Sequence, residues 1–106
     1  DVYKRQGGGF SLLGGPGQVA AGVDYASQLN AARQYLGSGN LDYALSSYEY
    51  LISAGQYLDE TISDLTDLIN TKSVEARALR VLGDAYGAKG QLKEALAMYR
   101  QALEKF

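Results

Sequence analysis

Residues 79 to 103 contain two stretches with the apolar spacing of amphipathic helices, separated by a short glycine turn. The first stretch places Leu79, Leu82 and Tyr86 on one helical face. The second stretch places four large apolar residues on one face: Leu92, Leu96, Tyr99 and Leu103. Because so few residues separate the stretches, we expect an antiparallel helix pair whose two apolar faces meet.

Small residues in the same segment favour a close approach of the two predicted helices. Gly83 lies on the first helix, and Ala95 and Ala102 lie on the second. Short side chains at a helix contact allow the two axes to come near each other. Tyr86 and Tyr99 are large enough to fill the space beside these small residues.

The order of these residues resembles the tetratricopeptide repeat, whose fingerprint is W-x-x-L-G-x-x-Y, then A-x-x-x-F, then P. The corresponding residues are Leu79-x-x-Leu82-Gly83-x-x-Tyr86 and Ala95-x-x-x-Tyr99, and the chain ends before the Pro. Leu thus replaces Trp, and Tyr replaces Phe. The resemblance implies an all-α stack of antiparallel helices that binds a peptide or helix of another protein and has no catalytic role.

An internal repeat extends this pattern toward the N-terminus. Shifting the chain by 51 residues aligns these pairs: Tyr35 with Tyr86, Gly39 with Gly90, Leu41 with Leu92, Ala44 with Ala95, Leu45 with Leu96, and Tyr48 with Tyr99. A tetratricopeptide unit has ~34 residues, so this shift equals one and a half units. One helix for each half-unit predicts five helices, at about 25–37, 41–54, 59–70, 74–88 and 92–105.

Polar residues and glycines mark the ends of the predicted helices. Asp24 and Ser73 are expected to be the N-caps of the first and fourth helices, with Glu75 in the first turn of the fourth. Glycine ends the first two helices, at 37–40 and at Gly55.

The first three helices have predicted inner faces as well. The inner face of the first helix consists of Leu29, Ala32 and Leu36, beside Tyr25 and Tyr35. The inner face of the second helix consists of six residues: Leu41, Ala44, Leu45, Tyr48, Leu51 and Ile52. The third has Leu58, Ile62, Leu65 and Ile69 inside, and Glu60, Asp64 and Asp67 outside. The acidic row could bind a divalent cation or act as an acid–base pair. A solvated face is favoured, because one helical stripe supplies few of the oxygen ligands that a cation needs.

The composition argues against most enzyme chemistry. The 106 residues include no Cys and no His, so thiol nucleophiles, common zinc sites and imidazole catalysis are excluded, and we expect no cofactor. A net charge of −2 disfavours nucleic-acid binding. No apolar run approaches the ~20 residues that span a bilayer. The sequence does not indicate a cell compartment.

Two groups of residues are candidates for partner binding. The resemblance places Arg33, Arg77, Arg80 and Asp84 at positions that line the concave groove of the family. The alternative is that these arginines form surface ion pairs with Asp64, Asp67, Glu75 or Asp84. Three tyrosines off the main apolar stripes are either partner-facing anchors or half-buried rim residues, and the rim is favoured: Tyr43, Tyr50 and Tyr57.

The N-terminal residues are expected to lie outside the folded domain, which we place at 24–106. Residues 1–6, DVYKRQ, match the translation of a sequencing adapter, so they are interpreted as non-native. Residues 7–23 are interpreted as a disordered glycine-rich linker, because Gly at this density opposes regular structure. We expect the native N-terminus to lie upstream and the C-terminus to be cut short.

These patterns lead to one functional hypothesis and one alternative. The chain is interpreted as part of a tetratricopeptide-type scaffold that binds another protein. The alternative is a structural or regulatory arm of a larger enzyme or membrane-tethered protein, whose activity lies in other sequence. An enzyme within these 106 residues is disfavoured, since the sequence offers no nucleophile–base pair or metal-binding set.

Overall fold

The structure, a computed structural model, describes residues 24–71 and 75–105. These ranges contain five α-helices and no strand: α1 (Tyr25–Gly37), α2 (Leu41–Ala54), α3 (Leu58–Thr71), α4 (Ala76–Ala88) and α5 (Leu92–Leu103). The predicted all-α class is therefore confirmed. The predicted adapter at 1–6 and linker at 7–23 lie outside the described residues.

Three of the connections between helices share one mechanism. Gly39, Gly55 and Gly90 have φ values of 80°, 69° and 82°, which are left-handed conformations that glycine adopts without steric strain. In each turn the N–H after the glycine donates to a carbonyl five residues earlier: Asn40 to Tyr35, Gln56 to Leu51, and Gln91 to Tyr86. This Schellman pattern ends each helix and reverses the chain direction.

The predicted helix starts are correct for α1 and wrong for α4. The Asp24 carboxylate accepts hydrogen bonds from the Ser27 hydroxyl at 2.7 Å and the Ser27 N–H at 3.2 Å, which lower the pKa of Asp24. Asp24 is thus the N-cap of α1. Helix α4 begins at Ala76, so Glu75 precedes the helix instead of lying in its first turn. Ser73 lies outside the described residues.

Helix α2 lies at the centre of the fold and contacts α1, α3 and α4. Its predicted apolar face is confirmed: Ala44, Leu45, Tyr48 and Leu51 are buried, and Leu41 and Ile52 are partly buried. Helix α4 also contacts α3 and α5, and Arg33 joins α1 to α3. Helices α2 and α4 each contact three other helices, and together they supply most of the buried hydrophobic residues in the described ranges.

The inner faces of α1 and α3 differ in part from the prediction. Leu29 and Ala32 are buried in α1, but Tyr35 is exposed, contrary to expectation. In α3, Leu65 is buried together with Thr61, which the apolar pattern does not identify. The Thr61 hydroxyl has no hydrogen-bond partner among the described residues.

Helices α4 and α5 meet through their small residues. The ring of Tyr99 lies against Gly83, so close that a Cβ atom on Gly83 would stand 2.6 Å from Tyr99 Cε1. Ala95 and Ala102 are buried beside this contact. Leu92, Leu96 and Leu103 are instead 65%, 55% and 68% exposed. The expectation that these three leucines face α4 is therefore wrong.

We predict that Gly83→Ala and Gly87→Ala have opposite effects on stability. Both variants replace a glycine inside a helix with alanine, and this exchange by itself stabilises the folded state by ~0.5–1 kcal/mol. Gly87 has open space around its Cα, so its variant is expected to gain this amount. At Gly83 the new methyl group displaces Tyr99, and overpacking costs about 1–3 kcal/mol. Urea unfolding of both variants measures the difference, and equal midpoints would contradict the close contact.

Candidate functional site

The four residues of the predicted groove belong to two separate polar clusters. Arg33 lies in one cluster with Tyr48 and Asp64, and no residue of this cluster contacts the second cluster through a hydrogen bond among the described residues. The second cluster, which we call the Glu49 cluster, joins α2, α4 and α5: Asp42, Ser46, Glu49, Arg77, Arg80, Asp84 and Tyr99.

Asp64 is the centre of the first cluster. Its carboxylate accepts a hydrogen bond from the Tyr48 hydroxyl at 2.7 Å. Arg33 donates to both Asp64 oxygens, from Nε at 2.8 Å and from Nη2 at 3.3 Å. This forked geometry fixes the guanidinium as well as neutralising the charge. The Asp64 side chain is only 16% exposed, so the prediction that it belongs to a solvated acidic face is wrong.

The environment of this cluster shifts the pKa values of two groups. Burial raises the pKa of the Tyr48 hydroxyl, and its hydrogen bond to the negative Asp64 raises it further. The hydrogen bond to Asp64 also raises the pKa of Arg33. Both shifts preserve the observed hydrogen bonds, since Tyr48 remains a donor and Arg33 remains charged. The cluster therefore joins α1, α2 and α3 by polar contacts.

Glu49 binds both arginines of the second cluster. Arg77 Nη2 donates to Glu49 Oε1 at 2.9 Å, and Arg80 Nη2 donates to Glu49 Oε2 at 3.5 Å. Arg77 also donates to the Ser46 hydroxyl at 3.1 Å and to Asp42 Oδ1 at 3.4 Å. Asp42, Ser46 and Glu49 follow helical spacing, so they form one polar edge of α2 along α4.

Asp84 connects this cluster to α5. The Tyr99 hydroxyl donates to Asp84 Oδ1 at 2.5 Å, and Arg80 Nη1 lies 3.6 Å from Asp84 Oδ2. The hydrogen bond to Asp84, with a smaller contribution from burial, raises the pKa of Tyr99 to about 12. Tyr99 is therefore held at both ends, by Gly83 against its ring and by Asp84 at its hydroxyl.

An open groove lies between the start of α4 and the end of α5, beside the Glu49 cluster. Its volume is about 450 Å³, and six residues line it: Ala76, Arg77, Arg80, Tyr99, Ala102 and Leu103. Carbon atoms form most of the surface of this α4–α5 groove, while Arg77 and Arg80 place nitrogen atoms at its edge. The Arg80 side chain is half exposed, so its guanidinium remains accessible from solvent.

A second, shallower pocket of about 340 Å³ lies between α1 and α3. Its lining includes Arg33 and Gly37 of α1 and Asp64 and Thr71 of α3. The Arg33–Asp64 ion pair lies at its edge and already satisfies both charges. This pocket has less apolar surface than the α4–α5 groove.

The candidate tyrosines lie mostly on the surface between α1 and α2. Tyr43 is 61% exposed, and its ring stacks at a tilt on Tyr35 with centroids 5.4 Å apart. Tyr50 pairs in the same way with Tyr25 at 6.0 Å. Tyr57 is exposed just before α3, with a positive φ of 54°. Their proposed role as partner-facing anchors remains a prediction.

Sequence reasoning did not identify Glu49 as a link between helices. It named Asp64 as a possible ion-pair partner of the arginines, which Arg33 is, but not as the acceptor of the Tyr48 hydroxyl. A signal for Glu49 exists, because Asp42, Ser46 and Glu49 form a polar edge next to the apolar face of α2. For Asp64 the signal is weaker: a buried tyrosine needs a hydrogen-bond partner, but the sequence does not show which side chain supplies it.

Ligand groups and comparisons with known proteins give no further assignment. Within 24–71 and 75–105, no three His, Cys, Asp or Glu residues are grouped to hold a metal ion. None of the five described helices has the length and apolarity to cross a membrane. No protein-family model, curated protein or solved structure matches the chain.

We predict that Asp64→Ala destabilises the fold by about 1–3 kcal/mol. The substitution leaves the buried Tyr48 hydroxyl without its acceptor, and a buried donor without a partner destabilises the folded state by its full desolvation cost. Asp67→Ala is the matched control, because Asp67 is exposed on the same helix, and its effect is expected to stay within about 0.5 kcal/mol. Urea unfolding at neutral pH measures both, and equal losses would show that the Tyr48–Asp64 contact does not contribute.

We predict that Tyr99 ionises above the ordinary tyrosine range and makes the fold less stable in alkali. Its folded pKa of about 12 exceeds the ordinary value near 10, so the folded state holds this proton longer than the unfolded state. The contribution of Tyr99 is thus complete below pH ~10 and is lost as the pH rises toward 12. The difference in phenolate absorbance between the chain and Tyr99→Phe isolates Tyr99, because Tyr48, whose pKa is also raised, is present in both. A difference signal that titrates at the ordinary tyrosine value near pH ~10 would refute the prediction.

Proposed function

We propose that the chain is a non-catalytic module of tetratricopeptide type that binds a segment of another protein on its helical surface. The α4–α5 groove is the observation that carries this proposal. It combines a mostly apolar lining with the guanidinium groups of Arg77 and Arg80 at one edge. Protein-binding surfaces commonly use an apolar centre with polar groups at the rim.

The arrangement suits binding better than chemistry. Arg77 and Arg80 are both held by Glu49, and Tyr99 is held by Asp84, so these groups are fixed in position. Fixed side chains lose little conformational freedom when a partner docks. The Tyr99 hydroxyl is protonated at neutral pH, as any tyrosine is well below its pKa, and it already donates to Asp84, so it is a poor general base.

The charge around the groove defines what it accepts. The Glu49 cluster contains two arginines and three carboxylates, so it does not present a strong positive field. We therefore propose a partner segment with apolar side chains that fill the groove and a single carboxylate or carbonyl oxygen that reaches Arg80. A highly acidic segment would meet Asp42, Glu49 and Asp84 as well.

We predict that filling the groove weakens peptide binding without unfolding the chain. A random peptide library selected on the 106-residue chain is expected to yield binders whose NMR shift changes centre on Arg80, Tyr99 and Leu103. Ala76→Trp fills the groove from the first turn of α4 and is expected to weaken those binders at least about tenfold, since a core contact of ~1.4 kcal/mol is lost.

The control for that experiment is Ala26→Trp, an exposed position in the first turn of α1 and away from the groove. Unchanged affinity for Ala26→Trp together with lost affinity for Ala76→Trp supports the proposal. Binders that map elsewhere, or that bind Ala76→Trp as well as the original chain, would refute the groove as the binding site.

A further inference from the structure

The exposed leucines of α5 form a continuous apolar strip. At 100° for each residue, Leu92, Leu96 and Leu103 fall within a sector of about 40°. Ala95 and Ala102, which face α4, lie on one side of this leucine strip. Lys93 and Arg100 lie on its other side, and both are exposed and form no ion pair with a described residue.

The internal repeat shows how the same surface is covered elsewhere in the chain. A shift of 51 residues relates the leucine strip to Leu41, Leu45 and Ile52 of α2. Those three residues belong to the core or pack against it, and α2 is covered by α3 and α4. The positions on α5 are chemically equivalent, but no described helix covers them.

The same shift also relates the charged edges of the two helices, with the sign reversed. Lys93 corresponds to Asp42, and Arg100 corresponds to Glu49. On α2 these carboxylates bind Arg77 and Arg80 of the covering helix α4. A helix that covers α5 in the same way would therefore need acidic residues where α4 has its two arginines.

We propose that the leucine strip binds an amphipathic helix of another polypeptide whose apolar face is like that of α4 and whose edge carries carboxylates at the positions of Arg77 and Arg80. This inference rests on the proposed function and adds a second surface, which shares Leu103 with the α4–α5 groove and takes a partner of defined chemistry. Such helix-on-helix docking uses apolar anchors at helical spacing, and opposite charges at the edge select the partner.

Charge also argues against a second copy of the chain as the occupant. Two α5 helices related by a two-fold axis and packed antiparallel bring the same edge of each helix together. Lys93 of one copy would then lie near Arg100 of the other, and Glu104 offsets only part of this positive charge. The α4 helix of a second copy carries arginines in place of the required carboxylates.

The test uses two synthetic peptides that differ only in edge charge. The first has the sequence of residues 75–91, and the second carries Arg77→Glu and Arg80→Glu in the same sequence. We expect the 106-residue chain to bind the second peptide about fivefold more tightly than the first, as two exposed ion pairs allow. At about 1 M salt this preference is expected to disappear. Fluorescence anisotropy with labelled peptides measures both affinities.

Variants of the chain separate the contributions of the strip and its edge. Lys93→Glu combined with Arg100→Glu recreates the acidic edge of α2 and is expected to reverse the preference in favour of the unaltered peptide. Lys105→Glu changes the charge away from the strip and should leave the preference unchanged. Leu96→Ser is expected to weaken both peptides about tenfold, because an apolar anchor is lost.

Three outcomes would overturn this inference. They are equal binding of the two peptides, a preference that the double charge reversal does not change, and a dimer in sedimentation experiments that Leu96→Ser converts to a monomer. The last result would identify a second copy as the occupant. If the peptides selected for the α4–α5 groove still bind while these peptides do not, the proposed function stands and only the inference about the leucine strip fails.

Discussion

The contact between Gly83 and the ring of Tyr99 determines how the C-terminal pair of helices is arranged. Helix α5 has apolar residues over a wide sector, so it could have met α4 through its leucines. It meets α4 through Tyr99, Ala95 and Ala102 instead, because Gly83 leaves space for the ring and Asp84 accepts the hydroxyl hydrogen bond. The orientation of α5 that results turns the leucine strip toward solvent.

Tyr48 and Tyr99 occupy equivalent positions in the internal repeat. Each hydroxyl binds an aspartate, but the two aspartates lie at different positions in the repeat. Each hydroxyl donates to an aspartate that also contacts an arginine: Asp64 with Arg33, and Asp84 with Arg80. Asp64 lies on the helix that follows Tyr48, whereas Asp84 lies on the helix that precedes Tyr99. A buried phenol needs an acceptor, and the chain supplies one from whichever neighbouring helix is within reach.

The different acceptors of Tyr48 and Tyr99 show which features of the structure the sequence can predict and which it cannot. The five helices follow from apolar spacing and from the glycines that end them, because those signals act within one or two turns. The close contact of α5 with α4 through Gly83 and Ala95 matches the prediction. Leu92, Leu96 and Leu103 were wrongly placed on the face toward α4, since leucines and alanines of one broad apolar face are equally compatible with helical spacing. The partners of Arg33 and Arg77 depend on which helices become neighbours, and local patterns do not contain that information. Of the four predicted groove residues, Arg77 and Arg80 line the groove between α4 and α5, whereas Arg33 on α1 does not.

The first and last helices, α1 and α5, differ in the chemistry of their exposed residues. Helix α1 packs mainly on α2, and the exposed residues at their junction are tyrosines that stack in pairs. A tyrosine on the surface keeps its hydroxyl hydrated while its ring contacts a neighbouring ring. Helix α5 packs mainly on α4 and exposes leucines, which have no polar group for water to bind. Covering the leucine strip desolvates no polar side-chain group, whereas covering the tyrosine pairs would require new hydrogen-bond partners for the hydroxyls. This asymmetry is why we place an additional helix on α5 and not on α1.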